Sequence, residues 1–148
     1  MKILIINGPN LNLLGTRETD IYGNRTFEHY FSQLKDKFSE KNSDIELLYF
    51  QSNVEGELIN ELQKKEYFGF ILNAGGYTHT SVSIRDCIAG IEKPVVEVHI
   101  SNLAKREEFR HNSLITGVCS GSIMGFGLNG YDLALEWFLS QIPTKMGY

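Results

Sequence analysis

The sequence predicts an α/β domain in which a parallel β-sheet is covered by helices on both faces. Three observations carry this. Short apolar runs alternate along the chain with segments whose apolar residues recur every three or four positions, the marks of strands and amphipathic helices. The runs are nearly continuous rather than alternating, as expected of strands buried on both faces of a parallel sheet. Several runs break into Asn, Gly or His, residues suited to turns and to chemistry at a strand end. A chain of 148 residues fits one domain with a sizeable core, so residues 1–148 are read as a single domain.

The elements follow in order. Ile3 to Ile6 is the first strand, ending in Asn7-Gly8-Pro9-Asn10. Phe27, Tyr30, Phe31, Leu34 and Phe38 fall on one helix face, with Thr26 as N-cap. Ile45 to Phe50 is the second strand, and Ser52-Asn53-Val54-Glu55 offers a capping box for a helix carrying Leu58, Ile59 and Leu62. Phe68 to Leu72 is the third strand, ending in Asn73-Ala74-Gly75-Gly76. Val82, Ile84, Cys87, Ile88 and Ile91 line the next helix. Pro94 to His99 is the fourth strand, with proline at its tolerated first position. A short helical turn spans Ala104 to Arg110, a weaker glycine-containing strand spans Val118 to Ile123, and Tyr131 to Ile142 is the last helix. Residues 143–148 are expected to fray.

Five β–α units joined by right-handed crossovers give a doubly wound, flavodoxin-like five-stranded sheet. In such sheets ligands bind beyond the carboxyl ends of the strands. That edge gathers Asn7, Asn10, Asn73, His99 and Ser101 beside a loop bracketed by Gly15 and Gly23, on which Arg17 and Tyr22 lie. Uncharged hydrogen-bonding groups, an imidazole, a cation and a phenol suit a small hydroxyl-rich ligand.

Composition narrows the function classes. Fourteen basic against 18 acidic residues leave a charge of −4, without the basic stripe of a nucleic-acid binder. No segment is long and apolar enough to span a membrane, and the first residues lack a signal-peptide pattern. A cytoplasmic protein without nucleic-acid or membrane partners is expected. Cys87 and Cys119 lack metal-site spacing and read as small buried hydrophobes.

Each polar residue also has a plainer reading. Asn7 and Asn10 suit a turn. Asn73-Ala74-Gly75-Gly76 is either a strand-to-helix connection or a phosphate-cradling loop, though it lacks the P-loop and dinucleotide fingerprints. His79 could simply bond backbone at a helix start. Glu97 and His99, two apart on a strand, share a face. They could be a metal pair, but no further ligand cluster accompanies them, and a carboxylate orienting an imidazole is favoured. The charged run from Lys105 to Arg110 is either a solvated surface with local ion pairs or a source of arginines, Arg106 or Arg110, turned over the sheet edge.

The segments NGPNLNLLGTRETDIYG, QSNVEGELI, ILNAGGYTHTSVSIRD, VEVHISN and REEFRHNS, in that order, resemble the type II 3-dehydroquinate dehydratases over nearly the whole chain. The resemblance implies a flavodoxin-like fold, trimers that usually pack into dodecamers, and no metal or cofactor. It also implies loss of water from 3-dehydroquinate to give 3-dehydroshikimate through an enolate, in the shikimate pathway or in quinate catabolism. Such chemistry needs a base beside the ketone, a donor to the enolate oxygen, an acid for the departing hydroxyl and a clamp for the substrate carboxylate.

By the family's pattern Tyr22 is the base and Arg17 favours its phenolate. A phenol of ordinary pKa about 10 is only ~0.1% ionised at pH 7, a deficit of roughly 4 kcal/mol. Asp86 matches a residue that reaches a neighbouring subunit's arginine. Asn10 matches the residue at the enolate oxygen, and His99 the general acid, oriented by Glu97 with Asn73 close by. Ile100 and Ser101 match the carboxylate-binding pair, His79 and Arg110 the hydroxyl-binding residues, and Arg106 the arginine that folds over as the loop of about residues 15–23 closes. The chain departs from the pattern at Thr19, Val54, Asn112, Leu114 and Gly117, none of them a catalytic position.

Other readings fit less well. A Schiff-base dehydratase needs a desolvated lysine, whereas Lys2 and Lys93 lie at strand starts, the wrong edge. A phospho-receiver or flavin-binding module would want acidic pairs or a phosphate loop where Asn7-Gly8 and Asn73-Ala74 stand.

Overall fold

The computed structural model describes residues 1–16, 20, 24–42 and 44–142. The predicted tail, the predicted lid from residue 17 onward apart from residue 20, and Arg17, Thr19 and Tyr22 themselves lie outside the described residues. The elements are β1 (Lys2–Asn7), α1 (Phe27–Lys41), β2 (Glu46–Gln51), α2 (Glu55–Leu62), β3 (Gly69–Asn73), α3 (Val82–Gly90), β4 (Val95–His99), β5 (Gly121–Met124) and α4 (Asn129–Ser140). The strands form one sheet in the order β2-β1-β3-β4-β5, and every pairing is parallel. This is the flavodoxin-like order, with a topological switch between β1 and β3.

The apolar strands separate two cores. Ile3, Ile5, Ile71, Val96 and Val98 face α1 and α4, where Phe27, Tyr30, Leu34, Tyr131, Leu135 and Phe138 are buried. Leu4, Ile6, Phe70, Leu72 and Val95 face α2 and α3, where Leu58, Leu62, Ile84 and Ile88 are buried. Alternate residues of one strand thus feed opposite cores, which explains why its sequence reads as unbroken apolar. Phe27 stands edge-on to Tyr30 and Tyr131, with ring centroids 5.5 and 5.0 Å away. Thr26 caps α1 as predicted, its side chain accepting from the His29 N–H at 3.3 Å.

Several local expectations are corrected. No capping box forms at α2: Val54 holds the N-cap position without a side-chain bond. Ser52 instead accepts from the Val54 N–H at 2.9 Å and donates to Glu57. Val82 opens α3 but is 57% exposed, on the helix's outer face. The predicted turn from 104 to 110 is two 3₁₀ turns, Leu103–Lys105 and Glu108–His111. The last strand starts only at Gly121, because Thr116–Val118 form another 3₁₀ turn. The final helix runs from Asn129 to Ser140 rather than from 131 to 142.

Candidate active site

The carboxyl ends of β1 and β3 are tied together first. The Gly8 N–H donates to the Asn73 carbonyl at 2.7 Å. The approach is so close that a Cβ on Gly8 would lie 2.5 Å from the Ala74 carbonyl oxygen, so only glycine fits there. Beneath this junction Tyr131 of α4 donates its hydroxyl proton to Asn7 Oδ1 at 2.7 Å and accepts from Asn73 Nδ2 at 3.0 Å. Asn73 Oδ1 accepts from the Gly75 N–H at 3.2 Å. Asn7 is fully buried and part of this brace, and it does not line the cavity, contrary to its predicted place beside the loop.

Past Gly8 the chain turns sharply. Asn10 adopts a left-handed backbone with φ of 68°, the only non-glycine among the described residues with positive φ. Asn is among the few residues that tolerate this conformation. The Asn10 N–H donates to Asn53 Oδ1 at 3.0 Å. The Asn53 carbonyl in turn accepts from the Tyr77 hydroxyl at 2.8 Å, and Gln51 Nε2 donates to the Gly8 carbonyl at 3.2 Å. The Gln51-Ser52-Asn53 segment after β2 therefore links the β1 turn to the Gly75–His79 turn.

At the end of β4, His99 Nε2 lies 2.7 Å from Glu97 Oε1, with Glu97 wholly buried and His99 5% exposed. A carboxylate partner places the proton on Nε2 and leaves Nδ1 for the cavity. Ser113 donates to the same Glu97 oxygen at 2.8 Å, and Thr116 donates to the other. Burial pushes the Glu97 carboxyl up, but the hydrogen bonds from His99, Thr116 and Ser113 and the charge of His99 outweigh it and hold it below its ordinary value.

These ends surround a cavity of about 120 Å³ lined by Asn10, Asn73, His79, His99, Ile100, Ser101, Arg106 and Arg110, with Pro9, Gly75 and Gly76 among the backbone walls. Its described lining carries two arginines and two histidines and no carboxylate, a field suited to an anionic ligand. Arg106 Nη1 donates to Ser101 Oγ at 3.4 Å. Arg110 pairs through Nε with Glu107 at 2.5 Å. His79 lines the cavity, and its Nδ1 donates to the Asn112 carbonyl at 2.8 Å, the backbone bond of its plain reading.

Eight predicted site residues thus meet in one cavity, and Glu97 stands directly behind His99. Asp86 does not join them. It lies exposed on α3 beside Arg85, 3.5 Å away. Arg17 and Tyr22 lie outside the described residues. Among the described residues no cluster of three or more His, Cys, Asp or Glu could hold a metal, and the Glu97–His99 pair is engaged by hydroxyls. Sequence reasoning missed Tyr131, Asn53, Ser113 and Thr116. Tyr131 looked like any helix-start aromatic, and the hydroxyls lie in a stretch with no periodic pattern.

The family Dehydroquinase class II matches residues 1–139. The chain is 55% identical over 137 residues to the 3-dehydroquinate dehydratase of Campylobacter jejuni subsp. jejuni strain 81-176, covering 91% of this chain and 85% of that protein. It is 48% identical over 148 residues to that of Clostridium perfringens strain SM101, covering 98% of this chain and 100% of that one. The crystal structure of the type II dehydroquinase from Butyrivibrio crossotus superposes with a TM-score of 0.86 at 45% identity, covering 94% of this chain and 97% of that one. That from Propionibacterium acnes gives 0.87 at 36% identity, covering 95% and 97%.

Proposed function

The chain belongs to the class II dehydroquinase family, and from that premise we propose that it is a hydro-lyase that removes water from 3-dehydroquinate to give 3-dehydroshikimate. The observation that carries this reading is the cationic cavity at the switch point with a buried Glu97–His99 pair at its wall. A substrate with a carboxylate, a ketone and several hydroxyls matches that lining in charge and in hydrogen-bonding capacity.

The reaction breaks a C–H bond next to the ketone and a C–O bond one carbon further, and forms a conjugated double bond. Tyr22, ionised with help from Arg17, takes the proton. The electron pair rests on the ketone oxygen as an enolate, which Asn10 stabilises through a water. The enolate then expels hydroxide as His99 gives it a proton, so that water leaves. Asn73 lines the same cavity as His99. The Ile100 N–H and Ser101 bind the carboxylate at the strand end. His79 and Arg110 hold the ring hydroxyls, and Arg106 covers the bound substrate. Asp86 lies outside its own chain's cavity, and in this reading serves Arg17 of a neighbouring copy. The working form is then an oligomer, trimers packed into a dodecamer, in the cytoplasm. Residues 1–148 form one catalytic domain in the shikimate pathway, with quinate breakdown as the other setting for the same reaction.

The experiment is direct. Purified protein mixed with 3-dehydroquinate should produce the ultraviolet absorbance of a conjugated enone. No rise at any protein concentration would overturn the activity. Tyr22→Phe should lower kcat by at least about a thousand-fold while the protein still binds a substrate analogue, since the base is lost outright; near-normal turnover would remove Tyr22 from that role.

A further inference from the structure

We propose that Ser113 and Thr116 are positioning residues for the reaction: their hydroxyls hold Glu97 as a fixed anion behind His99, so that the imidazole keeps its Nε2 proton while Nδ1 gives one to the cavity. The inference rests on the reading of His99 as proton donor.

A fully buried carboxylate is costly to ionise unless donors replace its lost water. Glu97 has three. Oε1 accepts from His99 Nε2 at 2.7 Å and from Ser113 Oγ at 2.8 Å, and Oε2 accepts from Thr116 Oγ1. The direction of the Ser113 bond is forced. Its oxygen already accepts the backbone N–H groups of Ile115 and Thr116, at 3.2 and 3.1 Å. A hydroxyl has one proton, and with its acceptor side filled that proton goes to Glu97. The bend from Ser113 to Thr116, closed by these two N–H bonds, thus brings both hydroxyls to Glu97, and the 3₁₀ turn at Thr116–Val118 follows it before β5.

Other ionisable groups around Glu97 do not replace these donors. His99 is its neighbour on β4. Arg110 and His111, from the Glu108–His111 turn, line a second cavity with Glu97. Arg110 is engaged by Glu107, and His111 Nε2 by the Arg106 carbonyl. Cys119 is pushed up to about 12, by burial first and by the Glu97 charge second, so it stays a neutral thiol.

Without the hydroxyls the proton between the pair has an alternative place. It can pass from His99 Nε2 to Glu97 Oε1, leaving a neutral acid beside a neutral imidazole. The number of protons is unchanged, but His99 is no longer a cation able to give one to a leaving hydroxyl. The hydroxyls disfavour this by stabilising the carboxylate form alone.

The test uses the full-length protein and 3-dehydroquinate, with kcat and KM followed from about pH 5 to 9. Thr116→Val keeps the side-chain shape and removes the hydroxyl; it should lower kcat about ten-fold or more, as expected for a hydrogen bond to a charged group, with KM little changed. The acid limb of kcat should also move to higher pH, because the carboxylate now protonates more readily. Thr116→Ser should restore both kcat and the limb. Ser113→Ala should act in the same direction, and its fold is checked by circular dichroism because the residue also holds two backbone N–H groups. An unmoved limb in a folded Thr116→Val variant, or equal loss in Thr116→Ser, would overturn the proposal. His99→Ala run alongside separates the two levels. Full turnover there sinks the proton-donor reading itself, whereas a large loss there with a normal Thr116→Val sinks only the role of the hydroxyls.

Discussion

The two walls of the cavity are held by opposite means. On the β4 side, one buried carboxylate collects an imidazole and two hydroxyls; its bond to the imidazole is buried and its bonds to the hydroxyls are partly so. On the β1 side, Asn10 sits in a left-handed backbone; its carbonyl accepts from the Leu13 N–H in the turn, and its N–H is tied to the neighbouring strand end through the exposed Asn53. The first wall is stiff because low dielectric strengthens its bonds and makes losing any partner expensive. The second is held weakly, since a solvent-exposed hydrogen bond trades readily with water. The difference fits the tasks proposed for them. Proton delivery by His99 requires a fixed direction and a fixed charge. A ligand for an enolate oxygen acting through water tolerates some play, and the chain beyond it leads to the segment that carries Arg17 and Tyr22.

This contrast can be broken by substitution. The largest effect should come from His99→Ala, which removes the acid: kcat should fall by about a hundred- to ten-thousand-fold with substrate affinity kept, as judged by steady-state kinetics and analogue binding. A pure binding defect would move His99 out of that role. Glu97→Gln should come next, lowering kcat by about ten- to a hundred-fold because the neutral amide replaces a charge-assisted hydrogen bond to His99.

The same variant should change stability against pH. The Glu97 carboxyl is held below its ordinary value in the folded protein, so the folded state binds the proton less readily than the unfolded chain. The stability this confers is fully present above the ordinary value near 4.5 and is lost as pH falls through the lowered one. Melting temperatures recorded from pH 7 down to 3 should therefore drop less steeply in Glu97→Gln than in the parent. A parallel drop would mean that the carboxylate is not the group being titrated.

On the other wall the effects should be smaller. Asn53→Ala should lower kcat by only about three-fold, in keeping with one exposed hydrogen bond, and Asn53→Asp should restore it because Oδ1 is kept as acceptor for the Asn10 N–H. A loss as large as that of Glu97→Gln would show the β1 wall to be as rigid as the β4 wall and would erase the contrast.

The sequence made the sheet legible because its signal is local. Ile3 to Ile6 and Phe70 to Leu72 each alternate between two buried cores, and an unbroken apolar run is the direct trace of that. The strand ends were legible for the same reason: once β1, β3 and β4 are parallel, Asn10, Asn73 and His99 must share an edge. The pairing of Glu97 with His99 followed from a spacing of two on one strand. Val82 misled because a residue at a helix start can carry the right spacing and still face outward. Ser52 misled because its hydroxyl was taken by Val54 and Glu57 one turn away from the box it could have closed. Ser113, Thr116 and Tyr131 were not legible, since their partners lie 16, 19 and 124 residues away in the chain. Only the folded sheet brings them together.

The contact of Gly8 with Ala74 has a consequence for what the cavity can admit. Pro9 and Gly75, on either side of that contact, form part of its lining. There the wall is peptide backbone, locked on both sides to neighbouring strands, with no rotamers to change. Arg106 and Arg110, bonded to Ser101 and Glu107, line the cavity with long side chains instead. A guest must therefore take the backbone side of the cavity as it stands, and any accommodation falls to side chains.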